Sequence, residues 1–305
     1  MGNFLESATG PLTLAILGTG AMGRFWADQL HRLNPWIVGH IAPPYRVVDD
    51  GTVREVNPRY LKWHESAPVV PEVVLLATKW RKMSTAFQWI SSHAPSSLVV
   101  SLMNGMGQEE ALAPLQKVRL CMGATTAAVT RQDREIPTII VQSLGATTLP
   151  DTDDEQVNYL KASPLSHPWQ WVHPDEMLRM RWQKLIQNSV INPLTALADC
   201  PNDALLTHPI WGLAEPLILE AQRVASTAGI VLPNDMLTRV STLLEQTHGN
   251  MSSMVQDVRD KVPTEIDAIN GYLVRLAGPH GFTIPTHEAL IRLIKSLPTR
   301  TETIH

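Results

Sequence analysis

Along the first half of the chain, short apolar runs alternate with amphipathic stretches. Leu12 to Leu17, Trp36 to Ala42, Val73 to Thr78, Leu98 to Leu102 and Val118 to Ala124 predict strands. Phe25 to Arg32 and Met83 to Ser91 lie between them and predict helices. This alternation implies a mostly parallel sheet wrapped on both faces. Ile136 to Leu149, with Gly145 in its middle, predicts a hairpin closing the first domain. Pro150 to Pro174 is rich in Asp, Pro and Ser and predicts a loop followed by a strand or a linker. From about Asp175 helical stripes dominate. We therefore expect an α/β protein of two domains, residues 1–174 and residues 175–305.

The first strand runs directly into Gly18-Thr19-Gly20-Ala21-Met22-Gly23, a GxGxxG between a strand and a helix. Gly18 permits the tight turn, Gly20 lets the backbone approach a pyrophosphate, and Gly23 allows close helix–strand packing. The helix start then offers its unpaired N–H groups to the phosphates. An ordinary glycine-rich turn is the alternative, and the position at the first predicted strand argues against it. The first domain is thus expected to be a Rossmann dinucleotide-binding domain. Lys79 and the loop Asn104-Gly105-Met106-Gly107 follow later strands, at the carboxyl ends where ligands bind such sheets. No Asp or Glu occurs between Val38 and Arg46, which argues against a typical NAD ribose site. Arg46, helped by His40, is the candidate partner of a 2′-phosphate; a solvated loop residue is the other reading of Arg46.

In the second half, Lys184, Asn188 and Asn192 recur at every fourth position. Each such step turns a helix by about 40°, so the three share one face. Leu185, Ile186, Val190 and Ile191 cover other sides, and Pro193 is expected to kink or end the helix. A cleft-facing polar stripe is the reading we prefer to a solvent-exposed face, which would carry more charge. Asn250, Ser253 and Asp257 repeat at helical spacing. Glu265, after Pro263 and Thr264, sits at what reads as a helix start, where an acid also simply complements the helix dipole.

Composition narrows the function. Of 305 residues, 44% are hydrophobic and 18% charged, so a sizeable core is expected and disorder is not. The net charge of −4, without a basic stripe, argues against nucleic-acid binding. Cys121 and Cys200 are the two cysteines, which excludes a disulfide framework and fits a reducing cytoplasm. The first ten residues do not read as a signal peptide, and no apolar run is long enough for a membrane helix. The scattered histidines lack metal-ligand spacing, so no metal site is expected.

Lys184 to Ala196, which ends Asn192-Pro193-Leu194-Thr195-Ala196, resembles the hallmark helix of ketopantoate reductases. Asn104 to Gly107, Cys200-Pro201-Asn202, the run Asn250 to Asp267 and Ile269-Asn270-Gly271 resemble the same family. The resemblance spans Gly18 to about Ile284. It implies a Rossmann domain followed by an all-α domain of the 6-phosphogluconate-dehydrogenase-like kind. It further implies NADPH-dependent reduction of ketopantoate to pantoate, for pantothenate and coenzyme A synthesis. Lys184 would be the general acid, and Glu265 would hold the substrate hydroxyl and orient the lysine. Asn188, Asn192, Asn250 and Ser253 would bind the substrate's hydroxyl and carboxylate ends. Asn104 would sit between cofactor and substrate, and Lys79 would contact the cofactor. Two features depart from the family: His40-Ile41-Ala42 stands where an Arg is usual, and Thr78-Lys79-Trp80 falls one residue early. A related reductase of another small 2-oxo acid is the competing enzyme reading. A non-catalytic NADP sensor is the competing non-enzyme reading, and it would need neither Lys184 nor Glu265. Oligomeric state is not legible, and a homodimer stays open.

Overall fold

A computed structural model of the chain describes residues 12–40, 44–132, 135–163 and 169–299. The last two residues of the expected strand Trp36–Ala42 lie outside these. The chain divides into two compact units, residues 1–103 with 108–177, and residues 104–107 with 178–305. The division falls three residues past the expected boundary. It also assigns the Asn104–Gly107 loop to the second unit.

The first unit is built on a six-stranded sheet. Its strands are β1 (Leu14–Leu17), β2 (Trp36–Gly39), β5 (Arg59–Lys62), β6 (Val73–Leu76), β7 (Leu98–Ser101) and β8 (Arg119–Met122). They lie in the order β5-β2-β1-β6-β7-β8, every pair parallel. Taken in chain order these strands stand 3-2-1-4-5-6, the doubly wound arrangement of a dinucleotide fold. β1, β6 and β7 are buried along their whole length, as continuous apolar runs in a sheet covered on both faces must be. Helices α1 (Ala21–Gln29), α2 (Met83–His93) and the short α3 (Gln108–Leu112) follow their strands.

Between β2 and β5 the chain forms a hairpin, β3 (Tyr45–Asp49) and β4 (Thr52–Val56). Asp50 and Gly51 turn it with φ of 44° and 75°, as a two-residue Asp-Gly turn requires. This hairpin joins β10 (Ala128–Gln132) and β11 (Thr138–Ser143) in a second sheet, ordered β10-β11-β3-β4. A third sheet joins β9 (Ala124–Thr125), β12 (Thr147–Pro150) and β13 (Trp169–Val172). The expected hairpin over Ile136–Leu149 is therefore not formed. β11 and β12 are two strands of two different sheets, and Gly145, with φ of 55°, redirects the chain between them. The expected loop after Pro150 contains helix α4 (Glu155–Ala162), capped by the Asp154 side chain on the amides of Gln156 and Val157.

The second unit is helical: α5 (Pro174–Ala198) enters it, and α6 (Ala214–Thr227), α7 (Met236–Gln246), α8 (Ser253–Arg259), α9 (Asn270–Ala277) and α10 (Pro285–Ser296) complete it. Ile186, Val190 and Leu194 on α5 meet Leu217, Val224, Val240, Leu273 and Leu290 in one apolar core. Pro193 does not end α5, which runs on to Ala198. A proline at this place lacks the N–H that would bond the carbonyl of Ser189. The Nδ2 of Asn270 donates to that carbonyl instead, at 2.9 Å. The same Nδ2 stands 3.0 Å from His287 Nδ1, and His287 Nε2 donates to the Leu217 carbonyl at 3.0 Å. Glu220 accepts from the Thr286 and His287 amides and so caps α10 from α6.

Asn270 is fully buried. Asn270→Ala would leave the Ser189 carbonyl and His287 Nδ1 without their donor, at a cost of about 1–3 kcal/mol. We expect a lower urea midpoint with an unchanged denaturant slope; an unaltered midpoint would show that the carbonyl does not depend on Asn270. Burial holds the His287 pKa below its usual value, opposed by its bond to Leu217 and by Glu220. The folded state thus resists protonation. Its stability is full above the unfolded pKa of about 6.5 and is lost as pH falls toward the lower folded value. Urea midpoints taken from about pH 7.5 to about pH 5 should fall less steeply in His287→Gln than in the wild type.

Candidate active site

In the first unit, the glycine loop has the geometry its sequence requires. Gly18 has φ of 121°, and a Cβ there would stand 2.7 Å from the Ala77 carbonyl oxygen. A Cβ on Gly23 would fall 1.8 Å from the Gly18 oxygen. Neither position admits a side chain. At Gly20 a Cβ would meet nothing within 4 Å, which is the open space a pyrophosphate needs above the loop. Gly20 is also the N-cap of α1 and supplies no side-chain acceptor for the first-turn amides. These donors suit an anion. The loop residues Thr19, Ala21 and Met22 lie between these glycines, and the loop bonds to β2 through the Gly18 amide and the Val38 carbonyl at 2.8 Å. Gly39 was not anticipated: a Cβ there would come within 2.4 Å of Thr19 Cγ2, so the end of β2 must be bare for the loop to settle on it. Lys79 lies just beyond β6, where its carbonyl accepts from the Lys82 amide at the head of a short helical turn.

Arg46 lies elsewhere than expected. It is on β3 in the second sheet, paired across the hairpin with Glu55, their side chains 3.9 Å apart. It is not a residue of the loop at the carboxyl end of β2. His40 does stand there, with its ring 6.2 Å from that of Trp63.

The second unit assembles the remaining residues. α5 presents Lys184, Asn188 and Asn192; the first two are partly buried, and Asn192 is 6% exposed. Glu265 is 7% exposed. It does not begin a helix: it opens a tight turn, its carbonyl accepting from the amides of Ala268 and Ile269, and α9 starts only at Asn270. The helix-dipole explanation of this acid therefore falls away. Burial pulls the Lys184 pKa down to about 8, against the pull of the nearby Glu265 carboxylate. The cation is thus partly stripped of water and partly compensated by one specific anion.

Asn250 precedes α8 instead of lying on it. Gly249, with φ of 72°, and the N-cap Ser252 delay the helix, so that only Ser253 and Asp257 share it. Asn250 is held by its carbonyl, which accepts from the Asn202 amide at 2.9 Å. Ser252 and Thr195 hydroxyls meet at 2.8 Å in the interior, tying the end of α5 to the start of α8. This pairing was not legible in sequence; its one signal is a serine before an apolar pair, the mark of an N-cap. The Asn104–Gly107 loop packs on the Glu265 turn. The Met106 amide donates to the Ala268 carbonyl at 3.1 Å, and Gly105, with φ of 76°, would bring a Cβ within 2.5 Å of that oxygen. Lys184, Glu265, Asn104, Asn250 and Ser253 are thus carried by mutually bonded segments of one unit.

Two family models match the chain, "Ketopantoate reductase PanE/ApbA" over residues 14–154 and "Ketopantoate reductase PanE/ApbA C terminal" over residues 176–297. The chain belongs to the ketopantoate reductase family. It is 31% identical to 2-dehydropantoate 2-reductase of Shigella flexneri, over 96% of this chain and 97% of that one. A solved PanE/ApbA family ketopantoate reductase from Ralstonia eutropha JMP134 superposes with a TM-score of 0.83 at 22% identity, covering 94% of this chain and 98% of that one. A D-mandelate dehydrogenase solved with NADH and anilino(oxo)acetate gives 0.82 at 20% identity, covering 93% and 97%. The two-part fold, parallel sheet then helices, is that of the family, and the chain is an oxidoreductase. Among the described residues no helix is long and apolar enough to cross a membrane.

An ammonium with a pKa of about 8 is protonated at neutral pH and loses its proton above that value. A reaction that needs Lys184 as an acid should therefore lose kcat/KM as pH rises through about 8. Glu265→Gln removes the anion that favours the charged form and should move this alkaline limb to lower pH. Lys184→Ala should lower turnover by at least about 100-fold. A limb that stays in place in Glu265→Gln would separate the two residues.

Proposed function

We propose that the chain reduces the ketone of 2-dehydropantoate to pantoate, with NADPH as hydride donor. The observation that carries this reading is Lys184, desolvated and within the electrostatic reach of the buried Glu265, on the helix that also bears Asn188 and Asn192. The full-length likeness to 2-dehydropantoate 2-reductase supports it.

When bound, the cofactor supplies the hydride. The residues of the chain do the rest. The glycine loop and the uncapped start of α1 would hold the cofactor's pyrophosphate, and Lys79 would contact the cofactor. Lys184 donates a hydrogen bond to the ketone oxygen, stabilises the negative charge that grows there, and delivers a proton to it from Nζ. Glu265 keeps Lys184 charged until that transfer and binds the substrate hydroxyl. Asn188, Asn192, Asn250 and Ser253 bind the hydroxyl and carboxylate ends, which fixes the carbonyl against the lysine. Asn104 would sit between cofactor and substrate, as the family resemblance implies.

A reductase acting on another small 2-oxo acid is the second reading. It is favoured by the D-mandelate dehydrogenase, which has the same fold. Nicotinamide absorbance, followed with NADPH or NADH and with ketopantoate or an aryl 2-oxo acid, tests both. We expect the highest kcat/KM with ketopantoate and NADPH. Faster turnover of the aryl acid would replace the first reading by the second, and equal use of the two cofactors would remove the NADPH preference.

A further inference from the structure

The first unit contains a cavity of about 350 Å³ at the carboxyl ends of β2 and β5. Gly39 and Lys62 are register partners on these neighbouring parallel strands. Gly39 is also the residue on which Thr19 of the glycine loop rests. The cavity lies between these strand ends and α2, whose Thr85, Gln88, Trp89, Ser92 and His93 line its other side. Its lining is unusual in charge. Lys62, His40, His64 and His93 contribute to it, together with the indoles of Trp63 and Trp89, and no acidic residue lines it.

Two further features mark it as built for a ligand. The Lys62 ammonium is given no carboxylate or carbonyl among the described residues; the bonds of Lys62 are backbone bonds to Glu65. The Trp63 indole N–H is buried and has no acceptor among the described residues. A phosphate suits the Lys62 ammonium, because charge-assisted hydrogen bonds are the strong ones. An aromatic ring suits the indoles. Arg46, by contrast, sits in another sheet and faces Glu55.

We infer that Lys62, on the strand next to β2, is the residue that reads the 2′-phosphate of the cofactor's adenosine, with His40 and the Trp63 indole beside it. The inference rests on the reading of the chain as a nicotinamide-nucleotide reductase. It replaces an arginine on β2 by a lysine brought alongside through strand pairing, and it gives Arg46 no part. Selectivity then comes from one cation placed where the 2′-hydroxyl of NADH has no charge to offer.

The test is direct binding of 2′,5′-ADP and of ADP to the intact protein by calorimetry, without substrate. Wild type should bind 2′,5′-ADP more tightly. Lys62→Ala should weaken 2′,5′-ADP about tenfold or more, as loss of one charge-assisted hydrogen bond does. ADP should be unaffected, Lys62→Arg should keep the preference, and Arg46→Ala should change neither ligand. If Lys62→Ala weakens both ligands equally, or neither, the assignment is overturned while the NADPH reading survives. If wild type shows no preference for 2′,5′-ADP, both the assignment and the NADPH preference fall. If it binds neither nucleotide, the reductase reading itself fails.

Discussion

Pro193 has no amide hydrogen, and the second unit is organised around that deficit. The carbonyl of Ser189 would be stranded in the interior of α5. Asn270 meets it, and through its contact with His287 and the bond from His287 to Leu217 the obligation passes from α5 to α9, α10 and α6. Four helices are thereby registered by directional bonds within an otherwise apolar core. The consequence for chemistry is local. Lys184, Asn188 and Asn192 stand on the helix whose carbonyl is bonded, and Glu265 stands on the turn that leads into Asn270.

The same packing sets the electrostatics of the site. A lysine in water would remain charged at any physiological pH and would be a poor proton donor. Desolvation weakens its hold on the proton, and Glu265 keeps that effect from going so far that the charge is lost. The balance brings the group near the pH at which proton transfer is most effective. The first unit solves a different problem: it must bring backbone close to a polyanion. It does so by deleting side chains, at Gly18, Gly23 and Gly39, where any Cβ would collide with main chain or with Thr19.

What could be read along the chain was what depends on neighbours in sequence. The glycine loop lies between a strand and a helix within ten residues, and the stripe Lys184, Asn188, Asn192 follows from helical periodicity alone. Five of the six strands of the parallel sheet were legible, β1, β6 and β7 most plainly, because burial on both faces makes them continuous apolar runs; β5, with Arg59 and Lys62 exposed at its ends, was missed. The β3–β4 hairpin was missed although Asp50-Gly51 between two β-branched runs announces it. β11 and β12 were joined into a hairpin because proximity in sequence suggested pairing, whereas their partners lie up to about a hundred residues away.

The sequence by itself determined the cofactor fold, the helical second half and most of the residues that meet in the second unit. These follow from local propensity, period and side-chain type. Tertiary structure decided the rest. It placed Arg46 in a separate sheet and Lys62 beside Gly39, because strand pairing is a choice among distant segments. It put Glu265 in a buried turn ahead of α9 instead of on an exposed first helical turn, because the Asn104–Gly107 loop and Ala268 share a backbone bond there. It also carried α5 through Pro193, because an acceptor orphaned by one residue can be satisfied only by a donor that folding brings from elsewhere, here Asn270, eighty-one positions along the chain.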